Sequence, residues 1–294
     1  MLRRVTIAAA QWEIRPIQDF DAFAAQASTL LDEARDADLV VFPELFTLSL
    51  LTTFPDWQMG SMSDVVRIQE YTAQYRELFS AEASRRDQHI LGGSHLVKEN
   101  GRLLNVAHLF RPSGDVQTHR KTHIFPTEAQ WQTEEGDDIE VWDLGFARVG
   151  AMICYEAEIP ECAATLTEMG AEIILCPAFG FTEHGFWRVR HCAAARAIEN
   201  QVYVVHACTA GSPGPGLPAG FARSSILGPS DAPWAADGVV VEASTNVECV
   251  VRGEVDLDVL LENREEGAAP THRDRRRRAE LYRQWAEKTA ASVY

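Results

Sequence analysis

The chain has 294 residues, enough for one large α/β domain or two smaller ones, and its composition is ordinary for a soluble globular protein. Asp and Glu outnumber Lys and Arg by 43 to 27, and the formal net charge of -16 repels nucleic acids and anionic lipids over most of the surface. We therefore expect neither a nucleic acid nor a membrane as a partner.

The first half of the chain alternates between predicted strands and helices. The opening segment 1–13 resembles a signal peptide, but its apolar run stops at Gln11 and is too short, so we expect a buried strand. A strand that ends in the sequence PEL puts Glu44 just beyond its carboxyl end. From the apolar spacing we predict strands at Val5–Gln11, Asp38–Phe42 and His89–Ser94, and helices at Asp21–Arg35 and about Ser63–Arg86.

A hairpin is predicted next, because a Pro-Ser-Gly turn separates Asn105–Phe110 from Val116–Ile124. The period of two along the second arm puts His119, Lys121 and His123 on one face. If the histidines face the interior, so does Lys121. A polar loop is expected over residues 127–140.

The segment 148–170 reads as a short buried strand that runs directly into a helix, with Pro160 in the first turn and Gly170 at the end. Cys154 lies at the junction. Backbone N–H groups and the helix dipole there are expected to stabilise its thiolate and to lower its pKa. The alternative is a buried, inert cysteine, a common state of free cysteines.

The second half continues the alternation without a charged or Ser-rich linker, so we predict a single α/β domain over residues 1–294. The loop 211–220 is interpreted as a surface loop, with an active-site border as the alternative. The basic run Arg275–Arg278 is interpreted as a solvated helix face or a patch that meets a neighbouring subunit. We predict strands at 172–176, 201–207, 221–227, 239–241 and 248–255. One helix is predicted to end near Asn200, and a charged terminal helix is predicted at Asp274–Lys288.

The six cysteines, at 154, 162, 176, 192, 208 and 249, form no CxxC pair and no tight framework. Neither a zinc ribbon nor a disulfide scaffold is indicated, and we expect a reduced, cytoplasmic protein. His119 and His123 are four residues apart on a strand, a spacing that does not bring imidazoles together, and no third ligand is evident. We therefore expect no metal and no cofactor.

Glu44, Lys121 and Cys154 each fall at or just beyond the carboxyl end of a predicted strand, the edge where ligands and catalytic groups gather in α/β sheets. Taken singly, Glu44 could be a surface carboxylate and Lys121 a solvated amine. Several aromatic residues and a histidine lie in or beside the same loops, and if two or three of them face the cleft, an apolar or aromatic acyl group fits best. These candidates are Phe46, Trp131, Phe179, Phe181, His184 and Trp187.

Three segments, FPELF at 42–46, HRKTHIF at 119–125 and GAMICYEAEIPE at 150–161, resemble the signature segments of the nitrilase superfamily, the carbon-nitrogen hydrolases. The resemblance extends over nearly the whole chain. It implies a four-layer α-β-β-α sandwich in which Glu44 is the general base, Lys121 the cation that stabilises the oxyanion and Cys154 the nucleophile. It also implies that the backbone N–H of Tyr155 contacts the oxyanion.

Glu128 matches a further glutamate that in this superfamily fixes the lysine or the substrate, with Glu134 and Glu135 as nearby alternatives. Tyr-Glu follows Cys154, which resembles the amidase branches more than the true nitrilases, where Trp-Glu is common. Glu156 replaces the aspartate that is usual in the amidases, so nitrile hydrolysis stays open.

We therefore predict hydrolysis of a small linear amide to a carboxylic acid and ammonia through a cysteine thioester. The alternatives are a nitrilase acting on R-CN and a non-catalytic interaction protein on the same fold. The resemblance also implies at least a homodimer or a higher homo-oligomer. Its interface is expected at the helix around Arg190–Asn200 and at the C-terminal helical extension 271–294.

Overall fold

The computed structural model describes residues 3–57, 62–214 and 217–292. Within these ranges the predicted alternation of strands and helices is present. The strands are β1 Arg4–Ile14, β2 Leu39–Val41, β3 His89–Glu99, β4 Arg102–Phe110, β5 Val116–Arg120, β6 Thr133–Glu134, β7 Val141–Asp143, β8 Arg148–Ala151, β9 Ile173–Ala178, β10 Tyr203–Gly211, β11 Ser225–Leu227, β12 Val239–Glu242 and β13 Cys249–Asp256.

Each α-helix borders one of the two half-sheets described below or belongs to the C-terminal part of the chain. Three 3-10 segments in the described residues cover Phe46–Thr53, Met62–Tyr71 and Cys154–Glu158. The α-helices are α1 Phe20–Glu33, α2 Thr72–Arg86, α3 Pro126–Ala129, α4 Pro160–Glu168, α5 Glu183–Asn200, α6 Leu257–Glu266, α7 Thr271–Arg277 and α8 Ala279–Ser292. In the described residues no helix is long and apolar enough to cross a membrane.

One long strand, β1, joins two half-sheets. Its residues 4–11 pair with β13 and residues 7–9 with β2, whereas Trp12–Ile14 pairs in parallel with β10. The resulting strand order is β5-β4-β3-β2-β1-β10-β9-β8-β7. The sheet is therefore nearly closed on itself.

The side chains of β1 alternate between two cores, as a strand period of two requires. Ile7 and Ala9 face the core that also contains β8, β9, β10, α4 and α5. Ala8 and Trp12 face the aromatic core under α1 and α2. Helices thus cover both outer faces, and the fold is the predicted four-layer α-β-β-α sandwich of the nitrilase type.

Several predicted elements differ in extent from the observed ones. The helix expected over 63–86 consists of a 3-10 segment followed by α2, and the polar loop 127–140 contains α3 and β6. Helix α6 was not predicted. The terminal helix is divided at Arg278, directly after a run of like charges that repel one another along α7.

The second arm of the hairpin ends at Arg120, earlier than predicted, because Lys121 leaves the ladder and points into the interior. Three predicted segments fall partly on positions without a description. Outside the described residues lie Met1 and Leu2 in the opening segment, Pro215 and Gly216 in the loop 211–220, and Val293 and Tyr294 in the extension 271–294.

Candidate active site

Lys121 lies between two buried carboxylates. Its Nζ donates hydrogen bonds to Glu44 Oε1 at 2.7 Å and to Glu128 Oε2 at 2.5 Å. Burial alone would lower the pKa of Lys121, but the charges of Glu128 and Glu44 outweigh burial and raise it. An ammonium has three protons, and two of them are used by these carboxylates. The third is left for an acceptor in the neighbouring cavity.

Asn105, on β4, joins the same two carboxylates and was missed by the sequence analysis. Its Nδ2 donates to Glu44 Oε1 at 3.0 Å and to Glu128 Oε1 at 2.8 Å. The backbone carbonyl oxygen of Asn105 accepts a hydrogen bond from the backbone N–H of Lys121 at 2.9 Å. One asparagine therefore positions all three charged groups. An amide side chain within the largely apolar strand RLLNVAHLF was the signal that could have found it.

Glu44 follows β2 and is 2% exposed. Its Oε2 accepts a hydrogen bond from the backbone N–H of Phe179 at 2.9 Å, which orients the carboxylate from the end of β9. Burial raises the pKa of Glu44; the positive charge of Lys121 acts against this and the negative charge of Glu128 adds to it. Glu44 is therefore a stronger base than an exposed glutamate.

The backbone around Glu44 is held in an unusual conformation. Leu45, the next residue, has a φ of 48°, in the left-handed region that most side chains avoid. Gly93, on the adjacent β3, has a φ of 63°, and a Cβ there would lie 2.0 Å from the carbonyl oxygen of Pro43. Only glycine permits this close approach of the two strands beside Glu44.

Cys154 is 8% exposed and also has a left-handed φ, 47°. Its Sγ lies 4.0 Å from the carbonyl oxygen of Phe179, and its thiol interacts with the Glu44 carboxylate. Burial and the negative charge of Glu44 raise the pKa of this thiol. The prediction of a lowered pKa was therefore wrong.

The pKa of Cys154 is not lowered because no α-helix begins directly at this residue. Helix α4 begins at Pro160, six residues after Cys154, and the 3-10 segment that starts at Cys154 itself has only five residues. The effect of a helix dipole falls off within its first turn, so it does not outweigh the cost of burying a thiolate. Cys154 is a neutral thiol at rest.

Glu156 supports the turn that carries Cys154. Its carboxylate accepts hydrogen bonds from the backbone N–H groups of Ile153 at 2.6 Å and Thr122 at 2.8 Å, and it pairs with His119 Nε2 at 2.9 Å. Burial would raise the pKa of Glu156, but His119 and Thr122 outweigh it and lower that pKa. Glu156 thus ties the Cys154 turn to the end of β5, and it does not line the cavity.

One cluster contains side chains of types that bind metals. His123, Glu156 and Cys162 bring ligand atoms within 4.8 Å of one another, a proximity that the sequence spacing did not reveal. Both carboxylate oxygens of Glu156 already accept hydrogen bonds, and His123 Nδ1 lies 2.9 Å from Thr122 Oγ1. We therefore interpret the cluster as part of the support behind the Cys154 turn.

A cavity of about 290 Å³ opens at the thiol. It is the place where the ends of β2 and β5, in one half-sheet, meet the ends of β8 and β9, in the other. Its floor is formed by Glu44, Lys121, Glu128 and Cys154, and Tyr155 borders it. Its remaining lining residues are Leu45, Phe125, Thr127, Glu158, Phe179, Gly180, Phe181, Thr182, Gly185, Arg188 and Val189.

Two of the six predicted pocket residues, Phe179 and Phe181, line this cavity. Phe46 does not, because it is fully buried in the aromatic core, with its ring 5.0 Å from that of Trp12. Trp131 is 3% exposed and packs behind Phe181 at 6.2 Å between ring centroids. Both positions follow from core packing, the usual fate of large aromatic side chains.

The other two predicted residues lie on α5 and point away from the cavity. His184 is exposed in the first turn. Trp187 stacks on His191, with ring centroids 5.4 Å apart. The helical period turns Arg188, one residue further along, to the cavity instead. Arg188, its partner Glu158 and Phe125 are lining residues that the sequence analysis did not select.

Comparison with known proteins identifies the family of this chain. The carbon-nitrogen hydrolase family model matches residues 6–263. The chain is 40% identical over 278 residues to "Probable hydrolase YhcX" of Bacillus subtilis (strain 168), covering 93% of this chain and 54% of that protein. The chain thus spans about half the length of this relative.

For a second relative and for a solved structure, the match covers most of the length of the other protein. "Omega-amidase NIT2-A" of Xenopus laevis is 31% identical over 266 residues, 86% of this chain and 88% of that protein. The crystal structure of a carbon-nitrogen hydrolase from Helicobacter pylori G27 has a TM-score of 0.78 at 22% identity, and the match covers 96% of this chain and 98% of that one. With a family match over residues 6–263, this chain belongs to the carbon-nitrogen hydrolases of the nitrilase superfamily.

Proposed function

We propose that this chain hydrolyses a small linear amide to a carboxylic acid and ammonia through a thioester on Cys154. The observation that carries the proposal is the arrangement at the floor of the cavity. A thiol, a carboxylate of raised pKa and a buried ammonium lie together there, in a space of about 290 Å³ that suits a small substrate.

In the first half of the reaction, Glu44 accepts the thiol proton while Cys154 Sγ attacks the amide carbon. A C–S bond forms, and the electron pair of the C=O π bond moves to the oxygen. The remaining proton of Lys121 and the N–H of Tyr155 stabilise this oxyanion. The tetrahedral intermediate then collapses, the C–N bond breaks, and Glu44 returns the proton to the leaving ammonia.

In the second half, water replaces ammonia. Glu44, again a carboxylate, accepts a proton as the water oxygen attacks the thioester carbon. A second oxyanion forms and collapses, the C–S bond breaks, and the sulfur regains a proton from Glu44. Glu128 and Asn105 take no proton in this scheme. They hold Lys121 and Glu44 in place, which is the role that we propose for them.

The neutral resting thiol suits this scheme, because a base that is in contact with the thiol is present to remove the proton on attack. Similarity to a relative named omega-amidase supports an amide over a nitrile. Glu156, the residue that left nitrile hydrolysis open, lies behind the Cys154 turn and does not line the cavity.

The test is ammonia release from a panel of aliphatic amides and the matching nitriles. The parent, Cys154→Ala and Lys121→Ala are compared, with Cys249→Ala as a control for loss of a cysteine far from the cavity. We expect the parent and Cys249→Ala to release ammonia from amides, and Cys154→Ala and Lys121→Ala to release none. Activity that survives in Cys154→Ala would refute the nucleophile, and faster release from nitriles would favour the nitrilase alternative.

We also propose that the protein forms at least a homodimer through α5 and the extension 271–294, and that residues 1–294 act as one domain. An open groove of about 630 Å³ between α4, α5 and the C-terminal helices carries charges of both signs and supports this surface as the interface. Light scattering after size-exclusion chromatography measures the assembly directly, and a monomer at micromolar concentration would contradict the proposal.

A cytoplasmic location is part of the same proposal. All six cysteines are free thiols, the state that cysteines keep in a reducing compartment such as the cytoplasm. Cell fractionation with an antibody against the native protein tests the location, and recovery outside the cytoplasmic fraction would overturn it.

A further inference from the structure

The two halves of the sheet each supply one of the groups that act on the amide. Lys121 follows β5 and Cys154 follows β8, and these strands lie in different half-sheets and do not pair with each other. Strand pairing therefore does not set the distance from the ammonium to the sulfur. Apart from Glu44, which contacts both side chains, this distance depends on contacts between the segment 119–125 and the turn 153–158.

Every hydrogen bond between these two described segments ends on the carboxylate of Glu156. Its Oε1 accepts from the backbone N–H of Thr122 at 2.8 Å and from the hydroxyl of the same residue at 2.6 Å. Its Oε2 accepts from the backbone N–H of Ile153 at 2.6 Å. His119 Nε2 lies 3.1 Å from Oε1 and 2.9 Å from Oε2. One side chain therefore joins the two segments.

The two backbone donors lie next to the reacting residues in the chain. Thr122 follows Lys121, and Ile153 precedes Cys154. The peptide plane that carries the N–H of Thr122 includes the Cα of Lys121, so fixing this N–H also fixes where the lysine side chain starts. On the other side, the N–H of Ile153 holds the turn one residue before the thiol. A shift of either carboxylate oxygen would therefore move the ammonium relative to the sulfur.

Glu156 is sealed off from water, so bulk solvent cannot replace an acceptor that is lost there. The residue is 0% exposed and does not line the cavity. Burial opposes its ionisation, but His119 and Thr122 lower its pKa, so both oxygens are acceptors at neutral pH. A buried N–H group without a partner is costly, and the two backbone donors therefore favour a single separation of the two segments.

We propose that Glu156 is a positioning residue that holds Lys121 and Cys154 at the separation that attack and oxyanion stabilisation require. This inference rests on the proposed amidase function. Glu156 contacts neither the cavity nor the reacting atoms, and it acts through the backbone on both sides. A displacement of about 1 Å in a reacting group can lower the rate roughly a hundredfold. Loss of one backbone contact should therefore act on kcat rather than on KM.

The test compares the parent with Glu156→Gln, using the amide of the panel that the parent hydrolyses fastest. Glutamine keeps the size of the side chain, but its amide has only one acceptor oxygen. One of the two backbone N–H groups then faces an NH2 group instead of an acceptor. We expect kcat to fall by roughly tenfold to a hundredfold, with little change in KM.

Glu172→Gln is the matched control. Glu172 is also buried, its Oε2 accepts from the backbone N–H of Arg148 at 2.9 Å, and it lies directly before β9, at the end of the strand opposite to the cavity. Both variants should unfold at lower urea concentration than the parent, but Glu172→Gln should keep the kcat of the parent. Glu156→Asp keeps two acceptor oxygens on a shorter side chain, and it should retain more of kcat than Glu156→Gln.

Alkylation of Cys154 by iodoacetamide at about pH 9, where the thiolate fraction sets the rate, gives a readout without turnover. Burial and Glu44 raise the pKa of this thiol, and the positive charge of Lys121 lowers it. If the lysine is held less closely, the thiolate fraction falls. We therefore expect slower alkylation in Glu156→Asp, which has the same charge as the parent.

The outcomes separate this role from the amidase function. A kcat in Glu156→Gln equal to that in Glu172→Gln, or a Glu156→Asp variant no more active than Glu156→Gln, would overturn the role of Glu156 while ammonia release upholds the amidase. If the parent releases ammonia from no amide, the amidase function fails and alkylation decides. Slower alkylation in Glu156→Asp would then support the positioning of Cys154 by Glu156, and an unchanged rate would overturn it.

Discussion

Replacing Lys121 with methionine removes the one positive charge from the floor of the cavity and leaves an unbranched apolar side chain that is one atom shorter. Glu44 and Glu128 then remain together, both joined to Asn105. Two carboxylates that share a buried site cannot both stay ionised, so one of them takes up a proton when the variant folds. We expect the variant to be less stable than the parent, and increasingly so at higher pH.

The expected loss of unfolding free energy follows from the two ion pairs of Lys121 that are lost. At 2.7 Å, the distance from Nζ to Glu44, two unit charges attract by about 6 kcal/mol at an effective dielectric constant of 20, and desolvation of the ions offsets much of this. Breaking a buried ion pair costs about 3–5 kcal/mol in net stability. Loss of the oxyanion donor should also lower kcat by roughly a hundredfold or more.

The pH dependence has a defined sign. Burial already raises the pKa of Glu44 above its ordinary value of 4.5 in the parent, and removing the positive charge of Lys121 raises it further. The contribution of this carboxyl to stability is fully present below pH 4.5 or so and is lost as the pH rises through the folded pKa. The destabilisation caused by Lys121→Met should therefore be larger at pH 8 than at pH 5.5.

Urea unfolding of the parent and the variant at these two pH values measures the effect, with Lys98→Met, at an exposed position of β3, as the control. The double variant Lys121→Met/Glu44→Gln removes the carboxylate repulsion and should regain stability at pH 8. Equal destabilisation at both pH values, or no recovery in the double variant, would refute the reasoning.

Three further predictions concern the same site. Asn105→Leu removes two donors that stabilise the carboxylates, so the pKa of Glu44 rises and the acid limb of the kcat/KM profile moves to higher pH; an unmoved limb would count against it. Alkylation of Cys154 by iodoacetamide, followed by mass spectrometry, should be slow at pH 7 and accelerate at alkaline pH, and fast alkylation at pH 7 would contradict the neutral thiol. Gly93→Ala should cost at least about 2 kcal/mol in urea unfolding and more than Gly101→Ala, which shares a positive φ but has open space around it.

The parts of the site that could be predicted from sequence are those fixed by topology. Glu44, Lys121 and Cys154 each follow a strand, and the carboxyl ends of strands are the edge where catalytic groups gather in α/β sheets. The layers of the sandwich are likewise set by alternation along strands such as β1. The roles of these residues, and that of Glu128, stay predictions until variants are measured.

The parts that could not be predicted depend on three-dimensional packing. Whether an aromatic side chain faces a core or a cavity depends on the direction in which it leaves the backbone of its helix or loop. Phe46 and Trp187 point away from the cavity, whereas Phe181 points into it. The pKa of Cys154 depends on how deeply the thiol is buried and on its distance from Glu44, neither of which spacing reveals. Arg188 became visible only when its helix was positioned against Glu158.

The left-handed backbone at Leu45 and Cys154 has a consequence for laboratory evolution. Each such residue holds an unfavourable conformation that costs on the order of 1 kcal/mol, and glycine would adopt it freely. A library sorted only for heat resistance would tend to enrich glycine at these two places, and at one of them the sulfur would be lost. Thermostable variants from such a screen would include inactive ones, so selection for activity has to accompany selection for thermal stability.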